Sequence, residues 1–413
     1  MRKIILMLVF LPSVLRAQIS LGDYRAAVLD YSLDLKVSKN DVDKAEESVA
    51  FTRLLRLPTL SASGSYSHLL NNDSGSKDWR FYLQPQIIQT LYSGGAVSAA
   101  IEQSEISRGI AICSEEYTYL EVLYAADYAY WSVVATKRYH DAMREYVKII
   151  TTLKSVVDRR FSEGYIAKGD VLMIASRLSE AEYELVSSEQ SYDVAKHNFN
   201  ILRGVDFREQ FATLAIKPDT LTRLLRVGIS EIIERRPDFS AAELGIDYYV
   251  ESKRSTNASY MPQLKLSVNA TWQTLTPNIS SSTHVDGAAV VDLSMPIFHF
   301  NARKKALAVA QRDIDKSVLE REMLVDNIQK EESNGWTTLQ DSHAQLLNSQ
   351  RSLDIASENL KISTYSYEEG VATILDVMQA QISWIQIYNN AINSEYNYLI
   401  ARSLYRKITA AIE

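Results

Sequence analysis

A twelve-residue segment occurs twice in this chain and sets its organisation. Residues 161–172 read Phe-Ser-Glu-Gly-Tyr-Ile-Ala-Lys-Gly-Asp-Val-Leu, and residues 367–378 read Tyr-Glu-Glu-Gly-Val-Ala-Thr-Ile-Leu-Asp-Val-Met. Gly164 answers Gly370, Asp170 answers Asp376 and Val171 answers Val377, each pair 206 residues apart. Glycine is favoured where a helix ends in a left-handed turn, because it has no Cβ to clash. Aspartate in the first turn of the next helix offers acceptors to unpaired N–H groups and suits the positive end of the dipole. A helical pattern flanks each copy on both sides. The spacing therefore predicts two helical hairpins in tandem, with these segments as their tips.

The rest of the composition fits a helical chain. Of 413 residues 46% are hydrophobic, while only 14 are Gly and 8 are Pro, which favours long helices over a pure sandwich. A net charge of −7 with acids and bases interspersed implies no basic face, so no nucleic-acid partner is expected. With a single cysteine, Cys113, there is neither an internal disulfide nor a Cys-based zinc site. Residues 1–17 read as an export signal: Arg2 and Lys3, then the apolar stretch Ile4–Leu11, then Leu15-Arg16-Ala17 before Gln18. A buried N-terminal helix is the competing reading, and Pro12 argues against it. No cysteine stands at the cleavage point, so no N-terminal lipid is expected. No later apolar run reaches the length of a membrane-spanning helix. An exported chain of this kind is periplasmic, secreted, or placed in an outer membrane as a β-barrel.

Residues 21–56 and 227–260 read as helices, each running into a proline at Leu57-Pro58 and Met261-Pro262, an offset of 204. Beyond each proline the hydrophobic period falls from about 3.6 to 2, the mark of a strand. Thr59–His68 alternates hydroxyls with Leu60, Ala62, Gly64 and Tyr66; in Trp79–Ile87, Trp79, Phe81, Leu83 and Ile87 share a face. In the second copy Leu264, Leu266, Val268, Ala270 and Trp272 alternate with Lys265, Ser267, Asn269, Thr271 and Gln273. Ala289, Val291, Leu293, Met295 and Ile297 then share a face opposite Asp292 and Ser294. The loops Asn71–Asp78 and Thr276–Asp286 are polar. Strand hairpins are thus expected at 59–91 and 263–298. Strands of about ten residues with one apolar face suit a tilted transmembrane barrel; a soluble two-layer sheet is the alternative. Four strands are too few to close a barrel, so several chains would be needed.

After each hairpin, 95–160 and 302–366 contain no proline, and about 65 residues of helix span roughly 100 Å. Gly109 and Gly335 interrupt them. Tyr130 and Trp336 repeat the 206 offset, which makes the two helices equal in length. Helices 170–203 and 376–409 then return. The tips span 161–170 and 367–376. The expected organisation is a first repeat over 18–206, a linker over 207–226 with Pro218-Asp219 as a turn, and a second repeat over 227–413.

This order, twice over, resembles the TolC family of outer-membrane efflux proteins. The residues that carry the resemblance are Arg236-Pro237-Asp238, Met261-Pro262-Gln263-Leu264, Leu91-Tyr92-Ser93-Gly94-Gly95, the two tips and Leu202-Arg203-Gly204. It covers essentially the mature chain. It implies a mainly helical fold with a β-barrel part: tandem long hairpins forming an α-barrel, and four transmembrane strands per chain in a twelve-stranded barrel shared by a homotrimer. It further implies an outer membrane location extending into the periplasm of a Gram-negative bacterium, contact with outer membrane lipid, and partners in a periplasmic adaptor and an inner-membrane pump. Two departures stand out. Phe300-Asn301 replaces Gly94-Gly95, which implies that the tight strand-to-helix exit is replaced in the second repeat. Some members carry further acidic and basic residues of a closing network at the tip; here the uncharged Gln379 follows Asp376 one turn on, and Ala372 stands where a basic partner can occur.

The function expected is a passive exit duct for small toxic compounds. An outer channel for secreted polypeptides (type I secretion) shares the architecture, and a periplasmic coiled-coil adaptor or scaffold is the reading of another class. Gly164, Tyr165, Gly370 and Val371 are the candidate adaptor contacts at the tip. Asp170, Tyr367, Asp376 and Gln379 are the candidate pore constriction. Gly164 and Gly370 read first as helix C-caps, and Tyr165 and Tyr367 as packing residues rather than gate locks. Asp376 reads as part of a Thr373-x-x-Asp376 capping box or, in a threefold assembly, as one of a ring of carboxylates. The six histidines show no metal spacing, no phosphate loop or Ser-His-Asp order occurs, and paired acids such as Glu331-Glu332 read as solvated helix faces. Neither cofactor nor enzymatic activity is expected.

Overall fold

The computed structural model describes residues 18–68, 70, 79–213, 225–274 and 283–411. The expected export signal, the loop over 71–78, most of the second loop and the Pro218-Asp219 turn lie outside these residues. The elements run β1 (Gln18–Ile19), α1 (Leu21–Tyr31), α2 (Leu33–Arg53), a 3-10 turn (Leu54–Arg56), β2 (Thr59–His68), β3 (Trp79–Tyr92), α3 (Ala96–Ser162) and α4 (Lys168–Leu202). There follow β4 (Ala212–Thr213), α5 (Ile229–Arg235), α6 (Pro237–Ala258), β5 (Gln263–Thr274), β6 (Thr283–Ser294), α7 (Ala302–Glu368) and α8 (Ile374–Ile408). Helices α3 and α7 are 67 residues each and α4 and α8 are 35 each. Every boundary of the first pair recurs 206 positions later.

Both helices that lead into the strands are broken where one was expected. Ser32 (φ −41°, ψ 120°) ends α1 and its Oγ accepts from Leu35 N at 3.3 Å, opening α2. Arg236 is extended ahead of Pro237, which takes the first position of α6, because the residue before proline is pushed out of the helical region. Its guanidinium grips Asp238 through Nε at 2.9 Å and Nη2 at 2.6 Å.

The chain divides into two compact units that cut across the repeats. One comprises Val37–Tyr117 and Arg236–Asp326. It holds an antiparallel sheet in the order β2-β3-β5-β6. Register places Leu60, Ile87, Val268 and Ala289 in one row and Gly64, Leu83, Trp272 and Val285 in another, all on one face. Ser61, Gln86 and Asn269 share a row on the other face. The apolar face is bare: Leu60, Leu83, Ile87, Val268, Trp272, Val291 and Leu293 are all exposed. β6 starts at Thr283 and ends at Ser294, four residues before Phe298. The segment read as the end of a loop, Thr283–Asp286, is therefore strand, held by pairing with Thr271–Thr274; Met295 and Ile297 lie beyond it, since Pro296 has no N–H to give a ladder.

The strand exits correct a second expectation. Gly94 and Gly95 have φ of 66° and 97°, and Phe300 and Asn301 have φ of 44° and 67°. Ala96 N donates to Ser93 O at 3.1 Å and Ala302 N to His299 O at 2.7 Å, so the same turn is made twice. The tight exit is kept in the second repeat by residues that do not favour it.

The other unit takes the described chain up to Lys36 together with Thr118–Arg235 and everything from Asn327 onward. Tyr24, Tyr130, Phe199 and Tyr398 anchor one apolar cluster; the Tyr24 and Phe199 rings stack at 3.9 Å. Two bidentate pairs pin the start of the first repeat and the end of the linker to the long helices: Arg25 on Asp127 at 2.6 and 2.7 Å, and Arg226 on Glu332 at 2.9 and 2.6 Å. Gly335 is no interruption of α7. A Cβ there would lie 2.7 Å from Ile408 Cδ1, so the glycine lets α8 approach.

Candidate functional site

Both tips are built by one local rule. In the first, Tyr165 N donates to Arg160 O at 2.9 Å and Gly164 N to Phe161 O at 3.0 Å; in the second, Val371 N donates to Ser366 O at 2.8 Å and Gly370 N to Tyr367 O at 3.0 Å. This pair of bonds closes a helix C-terminus when the residue after the cap is left-handed. Gly164 and Gly370 both have φ of 79°, and a Cβ on either would touch nothing within 4 Å. Backbone conformation alone selects glycine there.

The helices that leave the tips start differently. Thr373 caps α8: its Oγ1 accepts from Asp376 N at 3.4 Å, and the Asp376 carboxylate takes Thr373 N at 2.8 Å and Thr373 Oγ1 at 2.7 Å. These hydrogen bonds hold the Asp376 carboxyl below its ordinary range. The equivalent cap of α4 is Ala167, with no side chain to contribute, so Asp170 has no such box.

Residues of the two tips meet through a contact the sequence did not suggest. The Arg160 guanidinium lies 4.6 Å from the centroid of the Tyr367 ring, and its Nη2 donates to Glu368 O at 2.7 Å. A cation over an aromatic face and at a helix C-terminus is favoured on both counts. Burial pushes the Tyr367 phenol up; the Arg160 cation opposes this, and the Asp170 carboxylate adds to the rise. Tyr367 is buried with Ile374, Val377, Val157 and Ile174, as expected of a packing residue. Tyr165 is not: it is 77% exposed, and Val371 is 82% exposed. Phe161, Leu172 and Leu375 are exposed beside them in sequence, and with Arg160 they are the tip residues that sequence reasoning missed. The signal available for the three apolar ones was an apolar side chain close to the tip glycine in sequence, Phe161 before Gly164, Leu172 after it and Leu375 after Gly370. For Arg160 there was none, since the contact joins positions 207 and 208 residues away.

Asp376 and Gln379 are both exposed and lie one turn apart at the start of α8. Above the tip α3, α4 and α8 line a groove of about 550 Å³, where Arg177 Nε donates to Tyr146 Oη at 2.9 Å and Arg177 Nη1 to Glu180 Oε2 at 2.8 Å. Among the described residues no His, Cys, Asp or Glu cluster has the make-up of a metal site, and no helix is long and apolar enough to cross a membrane.

The structure is similar to the outer membrane protein VceC of Vibrio cholerae (16% identity, 94% of this chain and 95% of that one, TM-score 0.78). It is similar also to the Campylobacter jejuni CmeC outer membrane channel (15% identity, 94% and 85%, TM-score 0.81). In sequence the chain is 22% identical to nodulation protein T of Rhizobium leguminosarum bv. trifolii, over 91% of this chain and 86% of that protein. The family model of the outer membrane efflux protein matches residues 25–202 and 228–410, both repeats and nearly all of the described chain. The chain belongs to the outer membrane efflux protein family.

Proposed function

We propose that this protein is the outer-membrane exit duct of a tripartite efflux system, in which three copies close one twelve-stranded barrel. The observation that carries the reading is the sheet of Val37–Tyr117 and Arg236–Asp326. Its one face is apolar and uncovered, its other face carries hydroxyls and amides, and its outer strands β2 and β6 have unpaired edges within the described chain. A bilayer tolerates bare apolar side chains but not open edges. Closing the edges against further copies satisfies both, with the polar face toward the lumen.

The duct does no chemistry; energy for export comes from an inner-membrane pump, reached through a periplasmic adaptor. The exposed apolar residues of the tips, Tyr165 and Val371 with Gly164 and Gly370, are the surface offered to that adaptor. Asp376 and Gln379, with Asp170 and Tyr367, are the constriction. Small toxic compounds are the cargo of this reading, and secreted polypeptides are its alternative. Deleting the gene and complementing it tests this. Hypersensitivity to dyes and detergents that the intact gene reverses supports efflux, whereas normal resistance with a lost secreted polypeptide supports the secretion reading.

A further inference from the structure

We propose that Phe300 is a wedge between copies of this chain, its ring seated against Leu54 and Leu57 of the neighbouring copy. This rests on the three-chain barrel of the preceding section and names one part of its seam.

The internal repeat carries across the chain boundary. Inside one chain the exit of the first hairpin packs against the lead-in to the second: a Cβ on Gly94 would lie 2.5 Å from Met261 Cβ and 2.8 Å from Ala258 O. The exit recurs at an offset of 206, so Gly94 corresponds to Phe300. The lead-in recurs at 204, so Ala258 and Met261 correspond to Leu54 and Leu57. Backbone conformation agrees with the first correspondence, since Gly94 and Phe300 are both left-handed. Within one chain, however, the second copy of this contact cannot form. Phe300 follows β6 and Leu57 precedes β2, the opposite edges of the sheet.

Those three side chains are left bare: Phe300 is 86% exposed, Leu54 54% and Leu57 57%. A head-to-tail ring is the symmetry that brings opposite edges together, each copy offering one edge to the next. The same offsets carry the register. Ile87 opposite Val268 in the β3–β5 pair becomes Leu293 opposite Gly64 of the neighbouring copy. Where the seam inside the chain is so tight that only glycine fits, the seam between chains carries a phenyl ring. It is therefore wider there and filled by an aromatic anchor, the residue class that dominates assembly interfaces.

Two cysteine pairs in a Cys113→Ser background separate this proposal from the barrel itself. Leu293→Cys with Gly64→Cys reports barrel closure, and Phe300→Cys with Leu57→Cys reports the wedge. Both pairs are expected to give disulfide-linked dimers and trimers on oxidation. If the strand pair cross-links and the wedge pair does not, the wedge is overturned and the barrel stands; if neither does and the protein is monomeric in detergent, both fall. Quenching of a bimane on Phe300→Cys by brominated lipid, without cross-linking, would assign Phe300 to the bilayer and also overturn the wedge. Phe300→Gly reads the energetics. Glycine relieves the left-handed backbone, so a purely local role predicts a trimer that dissociates at higher temperature. A wedge predicts dissociation at lower temperature, and an unchanged or raised value contradicts it.

Discussion

The guanidinium of Arg160, at the end of the first long helix, lies 4.6 Å from the ring centre of Tyr367 at the end of the second. The same side chain donates to Glu368 O at 2.7 Å. Each repeat ends its long helix on its own glycine, so nothing local obliges the two tips to hold together; this contact does so beside the apolar cluster that Tyr367 shares with Val157 and Ile174. Arg160→Ala removes both interactions and is expected to cost about 1–3 kcal/mol of local stability. Amide hydrogen exchange should quicken over Glu163–Ala167 and Glu368–Ala372 and stay unchanged around Tyr24 and Phe199. Unchanged exchange at the tips would show that Arg160 does not tie them.

The left-handed glycines divide by what surrounds them. Gly164→Ala and Gly370→Ala meet open space and should cost only the backbone term, about 1–2 kcal/mol. Gly204, with φ of 74°, is different: a Cβ there would lie 2.1 Å from the Tyr31 ring. Gly204→Ala should therefore lower the thermal midpoint more than either tip variant. Equal shifts in calorimetry would mean that the Tyr31 ring moves aside freely.

Thr373 and its counterpart Ala167 form a natural comparison. Thr373→Ala gives the second tip the uncapped start of the first and should cost about 0.5–2 kcal/mol. Ala167→Thr with Asp170 already in place should stabilise α4. For Asp376 the cap and the carboxylate ring part company in single-channel recording. Asp376→Asn removes the charge while keeping a side-chain acceptor for the cap. Retained cation preference and conductance leave a cap alone; reduced cation preference supports the ring.

Glu332 gives the pH dependence. Hydrogen bonds from Arg226 hold its carboxyl below the ordinary range, with burial opposing and Tyr405 assisting. A carboxyl depressed in the folded state stabilises at pH above its unfolded value, roughly 4.3, and that stabilisation fades as pH falls through the folded value. Wild-type stability should thus drop in acid below about pH 4, and Glu332→Gln should flatten that part of the profile while lowering stability at neutral pH. An exposed pair such as Arg53 with Glu105 should matter less, under about 1 kcal/mol. A variant profile parallel to wild type would rule out Glu332 as the titrating group.

Much of the architecture was legible in the sequence because its determinants are local. Gly164 and Gly370 end helices, Pro58 and Pro262 end the lead-ins, and a change of hydrophobic period marks each hairpin. Most of the failures are non-local. Phe300-Asn301 argued for a different exit, yet flanking elements impose on them the turn that Gly94-Gly95 adopt readily. Thr283–Asp286 has loop composition but pairs along β5. Ser32 and Arg236 break helices at local signs, a side-chain cap on Leu35 and the following Pro237, that the helical pattern over 21–56 and 227–260 overrode. At the candidate site, Asp376 and Thr373 stood out by spacing, whereas Arg160 joins the tips across two repeats and Tyr165, read as packed, is exposed.

In the proposed barrel each chain is one third, four strands with open edges out of twelve. Light scattering on the detergent-solubilised particle, with the detergent contribution subtracted, counts its chains. Three chains per particle is the predicted result. A monodisperse single chain that retains its β-signal in circular dichroism would contradict it.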